Sequence, residues 1–232
     1  MNTSNFIGYF NLSKPIDKMD NNNIEYKKEL VNEKIIYLLS EVLPENNIDF
    51  MIKELFGNDS VPVGKDGIAK NYVRGSKIHS YRSTIHDVEI ANNLFKIIEK
   101  ILVPLKNKYR NNEIWIPCGV NPAFRFIKYA DNGYLVPHYD FPYEKGVDEM
   151  SLMSLVIYLT TNSNGETQFV KEYRDNDETD WGRKADEDEI LFRIKPEKGN
   201  ALLFEHNMLH QSEESKSEKI IIRTDIMYKR GL

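Results

Sequence analysis

From Trp115 onward the chain is written in the two-residue period of strands, and this constrains its fold more than any other feature. Trp115–Ile116, Ala123–Tyr129, Met150–Thr160, Gly165–Val170, Glu189–Ile194, Asn200–Glu205 and Lys219–Tyr228 are short apolar or β-branched segments separated by Gly, Asn, Asp and Pro. β-Branched and aromatic side chains suit a pleated, half-buried surface, and the separators are residues that turn a chain. Before this region the period is helical. Glu33–Leu43 places Ile35, Ile36, Leu38, Leu39, Val42 and Leu43 at helical spacing and stops at Pro44. A second short helix is expected over Ile48–Phe56 before Gly57, and Asp87 is placed to cap a third over Val88–Lys100. Residues 1–25, with Pro15 and the Asp20–Asn23 run, read as an arm of poor helix and strand propensity. Helices followed by strands predict an α+β chain. Its single domain covers 26–232, with helices over about 26–112 buttressing a β core over about 113–230.

His138-Tyr139-Asp140 stands inside the strand-rich part. In an extended segment, side chains at i and i+2 share one face, so His138 and Asp140 can grip one ion from a rigid backbone. His210, in Phe204-Glu205-His206-Asn207-Met208-Leu209-His210, can close the third corner. Two imidazoles and a carboxylate on one face, with open positions opposite, are the ligand set of non-haem Fe(II) oxygen chemistry. His206 competes for the third place, its other reading being a polar strand neighbour or a donor behind the ligands. His79 and His86 lie in a polar segment and are expected to face solvent.

Composition bounds the partners. The 232 residues, 41% of them hydrophobic, suffice for one substantial core. A net charge of −5 argues against nucleic acid, whose phosphates call for a basic surface. The lone Cys118 excludes an internal disulfide. With neither a basic and apolar leader nor a run approaching about 20 apolar residues, no membrane is expected and the cytoplasm is the default location.

Phe124-Arg125-Phe126-Ile127-Lys128-Tyr129 before the His-x-Asp, Ser154–Leu159 and Gly165-Glu166-Thr167 after it, Gly199–Phe204 leading to His210, and the closing Lys219–Tyr228 form an ordered set. In order, residue type and spacing it resembles the prolyl 4-hydroxylase-like branch of the Fe(II)/2-oxoglutarate-dependent dioxygenases, over about 121–230. The resemblance implies a double-stranded β-helix, or jelly roll, with the metal inside its open end. It also implies Fe(II), 2-oxoglutarate and O2 as cofactor and cosubstrates, and a third ligand at His210 rather than His206. Lys219 stands where relatives place the cation that holds the distal carboxylate of 2-oxoglutarate. Arg223, four residues on and on the same strand face, offers a planar fork that suits a carboxylate, so both remain candidates. A charge inside the apolar strand Ile220–Met227 must meet an anion, and for Arg223 that anion can equally be a protein carboxylate. Tyr158 matches the family tyrosine that bonds the same distal carboxylate, and Tyr129 one that lines the cosubstrate near its iron-bound end. Asn164-Gly165 replaces the usual glycine pair and should still turn.

The expected activity is hydroxylation of an unactivated C–H bond of a small molecule, such as a free amino acid or natural-product intermediate, with release of succinate and CO2. The alternative is a peptidyl or prolyl hydroxylase. A non-catalytic jelly-roll binding module would be expected to lose a ligand or the cosubstrate cation, and this chain keeps candidates for all. Tyr139, Phe141, Tyr143 and Trp181 can line a substrate site, and Arg74 and Arg82 can clamp a substrate carboxylate. The charge-rich run Lys171–Glu189 reads as a solvated loop, or as a lid anchored by Trp181.

Overall fold

The strand period is realised as two sheets. The computed structural model describes residues 9–10, 24–55, 60–67, 77–172 and 183–231. Among them the elements run β1 (Tyr9–Phe10), β2 (Tyr26–Val31), β3 (Lys34–Leu39), α1 (Glu45–Leu55), β4 (Val61–Val63), β5 (Ser80–His86), α2 (Val88–Ile98), β6 (Leu105–Asn107), β7 (Glu113–Val120) and β8 (Ala123–Tyr129). They continue as β9 (Gly133–His138), β10 (Glu144–Gly146), β11 (Glu149–Tyr158), β12 (Thr167–Val170), β13 (Ile190–Ile194), β14 (Ala201–Glu205), β15 (His210–Ser215) and β16 (Ile220–Arg230). The larger sheet has the order β1-β5-β8-β16-β11-β14-β3-β2, and the smaller β13-β12-β15-β9. Most of the expected arm lies outside the described residues. Its Tyr9–Phe10 pairs in parallel with Thr84 and Ile85 of β5.

Alternation along the strands gives the larger sheet two different faces. One face carries Phe124, Phe126, Leu155, Ile157, Leu203, Ile220, Ile222 and Ile226, and packs on Ile48 and Met51 of α1 and Ile90, Leu94 and Ile98 of α2. The other carries Ile127, Val156, Tyr158, Leu202, Phe204 and Ile221, and meets Phe169 and Ile194 of the smaller sheet. The two sheets therefore pack face to face, as the jelly-roll expectation requires. The cap of α2 is as expected, with Asp87 Oδ1 accepting the Ile90 N–H at 2.9 Å.

The helical support is smaller than the sequence suggests. Glu33–Leu43 does not form a helix; its apolar run is β3, hydrogen-bonded between β2 and β14. Ile36 and Leu38 face the sandwich interior while Tyr37 and Leu39 face the helices. A strand buried on both faces reads as a continuous apolar run, which periodicity cannot distinguish from a helix. The hairpin turn before it, Asn32-Glu33, has φ of 50° and 63°, the left-handed pair of a type I′ turn made without glycine. Only α1 and α2 are helical among the described residues of the predicted support, the rest of its regular structure being strands β2 to β6. No helix among the described residues is long and apolar enough to cross a membrane.

Entry into β9 is a close fit. A Cβ on Gly133 would lie 2.1 Å from the His79 carbonyl oxygen and 2.8 Å from that of Ala130. Gly133→Ala should therefore cost about 1–3 kcal/mol by overpacking. Gly119→Ala, with nothing within 4 Å of the new atom, should stay within about 0.5 kcal/mol of the parent. Chemical denaturation of the two variants checks this, and equal stabilities would contradict the tight β9 entry.

Candidate metal centre

His138 is the last residue of β9 and His210 the first of β15, and the two are direct partners across the strand pair. Asp140 lies two residues beyond the end of β9, in the loop rather than on the extended strand the sequence suggested. One ligand atom from each of the three lies within 4.8 Å of the others. Asp140 Oδ1 is 3.9 Å from His138 Nε2, and Asp140 Oδ2 is 3.8 Å from His210 Nε2. Both separations exceed hydrogen-bonding distance.

The ring orientations follow from their outer partners. His138 Nδ1 is 2.9 Å from the Val136 carbonyl and His210 Nδ1 is 3.0 Å from the Met208 carbonyl. A carbonyl only accepts, so each Nδ1 carries the proton and each Nε2 presents a lone pair towards Asp140. Burial opposes protonation of both rings, and with the neighbouring His210 it pushes His138 down to about 3. Burial alone would raise the Asp140 carboxyl, but Arg223 and then the histidines outweigh it and hold Asp140 well below the usual carboxylate range. Neutral imidazoles beside an ionised carboxylate are the protonation states a divalent cation requires, so the donor set fits the metal.

A directed chain of hydrogen bonds fixes Asp140 from behind. Ser154 Oγ donates to Asp140 Oδ2 and lies 3.0 Å from His206 Nδ1. His206 Nε2 is 2.9 Å from Ser151 Oγ, which accepts the Tyr143 backbone N–H at 2.8 Å. The chain starts at an amide that only donates and ends at a carboxylate that only accepts. The intervening protons therefore sit on Ser151 Oγ, His206 Nδ1 and Ser154 Oγ. His206 is 1% exposed, and burial lowers it to about 4, consistent with a neutral ring. It is thus a donor behind Asp140, and it stands outside the three-residue cluster.

Lys219 is 1% exposed. Its Nζ donates to the Gly165 carbonyl at 2.5 Å and to Ser212 Oγ at 2.7 Å, and sits 4.5 Å above the Tyr129 ring. Burial pushes its ammonium down to about 7. Gly165 makes the expected turn with φ of +77°, and a Cβ there would press on the Lys219 side chain at 3.2 Å. Tyr158, also buried, shares a 2.8 Å hydrogen bond with Thr167 Oγ1. Arg223 behaves differently, its Nη2 lying 3.0 Å from Asp140 Oδ1 and 3.3 Å from Asp225 Oδ1.

Other expected residues are distributed as follows. Arg82 points into the sandwich from β5, where burial lowers its pKa and Arg125 and Arg223 lower it further. Arg125 is a charged interior residue that the sequence reading passed over. The signal lies in the strand period, because Arg125 is four residues from Tyr129 and so shares its face of β8. Phe141 is 88% exposed and Tyr143 48% exposed beside Asp140, with Tyr139 half-buried. Arg74, Trp181 and most of the presumed lid lie outside the described residues. The ends of that segment are tied, with the Lys171 N–H donating to the Glu189 carbonyl at 2.8 Å. His86 is exposed as expected, but His79 is buried. Its ring packs against Tyr134 at 4.4 Å, so the solvent-facing expectation for it is corrected.

A charged sandwich interior with a two-histidine, one-carboxylate cluster at the ends of two adjacent strands defines the metal-dependent oxygenase type of site. Residues 124–224, which include all three cluster residues and Lys219, match the family model of the 2OG-Fe(II) oxygenase superfamily. This stretch is thus similar to the oxygenases of that superfamily, enzymes that work with Fe(II), 2-oxoglutarate and O2. No curated protein matches the sequence. Similar solved structures include a viral collagen prolyl hydroxylase from Paramecium bursaria Chlorella virus-1, with 16% identity over 84% of this chain and 96% of that one, at a TM-score of 0.48. A prolyl-4-hydroxylase from Pseudomonas putida has 14% identity, 84% and 92% coverage and a TM-score of 0.45. HygX from Streptomyces hygroscopicus, with nickel and 2-oxoglutarate bound, has 10% identity, 85% and 83% coverage and a TM-score of 0.46.

Replacing His138, Asp140 or His210 with Ala should abolish measurable Fe(II) binding. His206→Ala and Ser154→Ala should weaken it by about 10–100-fold, the usual effect of losing a partner behind a ligand. Anaerobic Fe(II) titration checks the ranking. An inert His210→Ala alongside a dead His206→Ala would reassign the third ligand.

Proposed function

We propose that the protein is an Fe(II)- and 2-oxoglutarate-dependent hydroxylase acting on an unactivated C–H bond of a small molecule. In this reading His138, Asp140 and His210 hold the metal, and Lys219 anchors the distal carboxylate of 2-oxoglutarate between Tyr129 and Tyr158. When bound, the metal and 2-oxoglutarate together supply the oxidising power, one oxygen atom of O2 going to the C–H bond and the other to succinate as CO2 leaves.

One observation carries the cosubstrate assignment. Lys219 is a fully buried cation whose bonded partners are a carbonyl, a hydroxyl and a ring face, all of them neutral. A buried charge without a counter-ion is costly, and a carboxylate arriving there would compensate it. Arg223 is already paired with two protein carboxylates, which supports the ion-pair reading of that residue. Tyr129 and Tyr158 act by shaping the pocket and excluding water from the Lys219 ammonium. The relay through Ser154 keeps one oxygen of Asp140 occupied and its orientation fixed.

A peptidyl substrate is the second reading. It is favoured by the exposed Phe141 and Tyr143 at the mouth of the site, which offer flat walls to an extended chain. Succinate release from the anaerobically Fe(II)-loaded protein, given oxygen, 2-oxoglutarate and either free amino acids or short proline peptides, chooses between the two.

Lys219→Ala should raise the KM for 2-oxoglutarate by roughly 100-fold, as expected for truncating one partner of a buried charge pair. Arg223→Ala should act mainly on metal binding. An unchanged KM in folded Lys219→Ala would remove it from this role.

The cosubstrate needs Lys219 protonated, and its ammonium is held down to about 7. Affinity for 2-oxoglutarate should therefore be full below pH 7 and fall about tenfold per unit above it. Lys219→Arg, always charged, should bind without this dependence. Calorimetric titrations at pH 6, 7 and 8 check it, and parallel profiles in the two proteins would exclude Lys219 as the titrating group.

A further inference from the structure

We infer that the substrate is itself an anion, and that Arg82 and Arg125 hold its carboxylate. The inference deepens the reading of the site as an oxygenase centre and rests on it.

The sheet register places the arginines. Arg223 on β16 is the direct partner of Arg125 on β8, and Arg125 is the direct partner of Thr84 on β5. Arg82, two residues from Thr84, shares that face. Adjacent strands lie about 4.8 Å apart, so three guanidinium-bearing positions form a patch on the interior face of the larger sheet. One end of the patch is fixed against the metal cluster, where Arg223 Nη2 contacts Asp140 Oδ1 at 3.0 Å. The patch runs across the strands from there, away from Asp140.

Among the described residues its charges are not balanced by free carboxylates. Among the described residues the facing carboxylates are Asp140 and Asp225. Asp140 belongs to the metal cluster, and Asp225 is taken by Arg223 at 3.3 Å and by the Asn121 side-chain amide at 3.2 Å. Arg82 and Arg125 have no hydrogen-bonded carboxylate or carbonyl among the described residues, and the buried Arg82 Nε has no partner there at all. Arg125, like Arg82, has its pKa lowered first by burial and next by a neighbouring arginine. A divalent ion at the cluster adds positive charge to this excess.

Such an arrangement is unfavourable alone and becomes favourable when an anion with two oxygens in one plane meets the guanidinium forks. That anion is distinct from the distal carboxylate of 2-oxoglutarate. Lys219, just before β16, lies four residues from Arg223 and from Arg125's level, about 13 Å at strand rise, and Arg82, level with Ile221, lies two strands away from it. A free carboxylate close to the reacting carbon is a property of small acids. An interior residue of a polypeptide has no main-chain carboxylate to offer.

The test needs no knowledge of the natural substrate. Anaerobic protein saturated with Fe(II) and 2-oxoglutarate is titrated with acetate or benzoate, and in parallel with acetamide or benzamide, at constant ionic strength, while the unfolding temperature is followed. The parent should show a saturable upward shift of several degrees with at least one carboxylate and none with its amide. Arg82→Met and Arg125→Met should lose the shift and, relieved of repulsion, melt higher than the parent without anion. Arg125→Lys should keep part of it, which covers the case in which a Met variant does not fold. Equal response to acid and amide, or a carboxylate shift surviving in both arginine variants, would overturn the inference. So would a rise in the KM for 2-oxoglutarate in these variants like that of Lys219→Ala, since the arginines would then serve the cosubstrate. Failure to bind Fe(II) and 2-oxoglutarate at all would instead strike the underlying oxygenase reading, and is recorded separately before any anion is added.

Discussion

The pleat of β16 is the constraint on which the rest depends. Ile220, Ile222, Ile226 and Tyr228 point to the helices, while Lys219, Ile221, Arg223 and Asp225 point to the sandwich interior. A slip of one residue would place a lysine, an arginine and an aspartate beneath α1 and α2, in a layer with nothing to neutralise them. The register is therefore enforced from both sides, by apolar burial on one face and by charge on the other. Pairing with β8 and β11 then carries that register outward and brings Arg125, Tyr129, Ser154 and Tyr158 to the interior.

The charge pattern inside does not serve stability. Buried ions gain little over apolar side chains of the same size and lose much when one partner is missing. Here Asp140 is ionised, the surrounding histidines are neutral, and Lys219, Arg82 and Arg125 have no hydrogen-bonded carboxylate among the described residues. These are features of a site preorganised for ligands that bring their own charges. The apolar layer under α1 and α2 supplies the stability that such an interior gives up.

Much of this was legible in the sequence. His138, Asp140 and His210 stood out because few residue types bind a metal and their flanking strands were in register. The α2 cap was equally legible, since Asp87 precedes a long apolar helical face. Choosing between Lys219 and Arg223 was not possible, as both lie on one strand face and differ only in what they meet across the interior. Arg125 and Ser154 were within reach, each four residues from a tyrosine already assigned inward. β3 was misread because an apolar strand inside a sheet has no alternation to show, and its turn lacks the glycine that usually marks one. The relay through His206 was beyond sequence reasoning. It depends on a register shift between Ser151 and Met153 of β11, the kind of irregularity that brings two serines three residues apart to one imidazole.

That relay also joins two places that differ greatly in exposure. Its first donor is the backbone amide of Tyr143, in the stretch that displays Phe141 and Tyr143 to solvent, and its last acceptor is the carboxylate beside the two ligand-type imidazoles. Because each proton in it has only one allowed position, the chain cannot reverse, and breaking it at either end leaves a buried polar atom unmatched. The Tyr143 backbone and the interior carboxylate are therefore joined by one directed hydrogen-bonded chain. Removing either serine hydroxyl leaves an unmatched polar atom on the His206 ring as well as at that serine's own end of the chain.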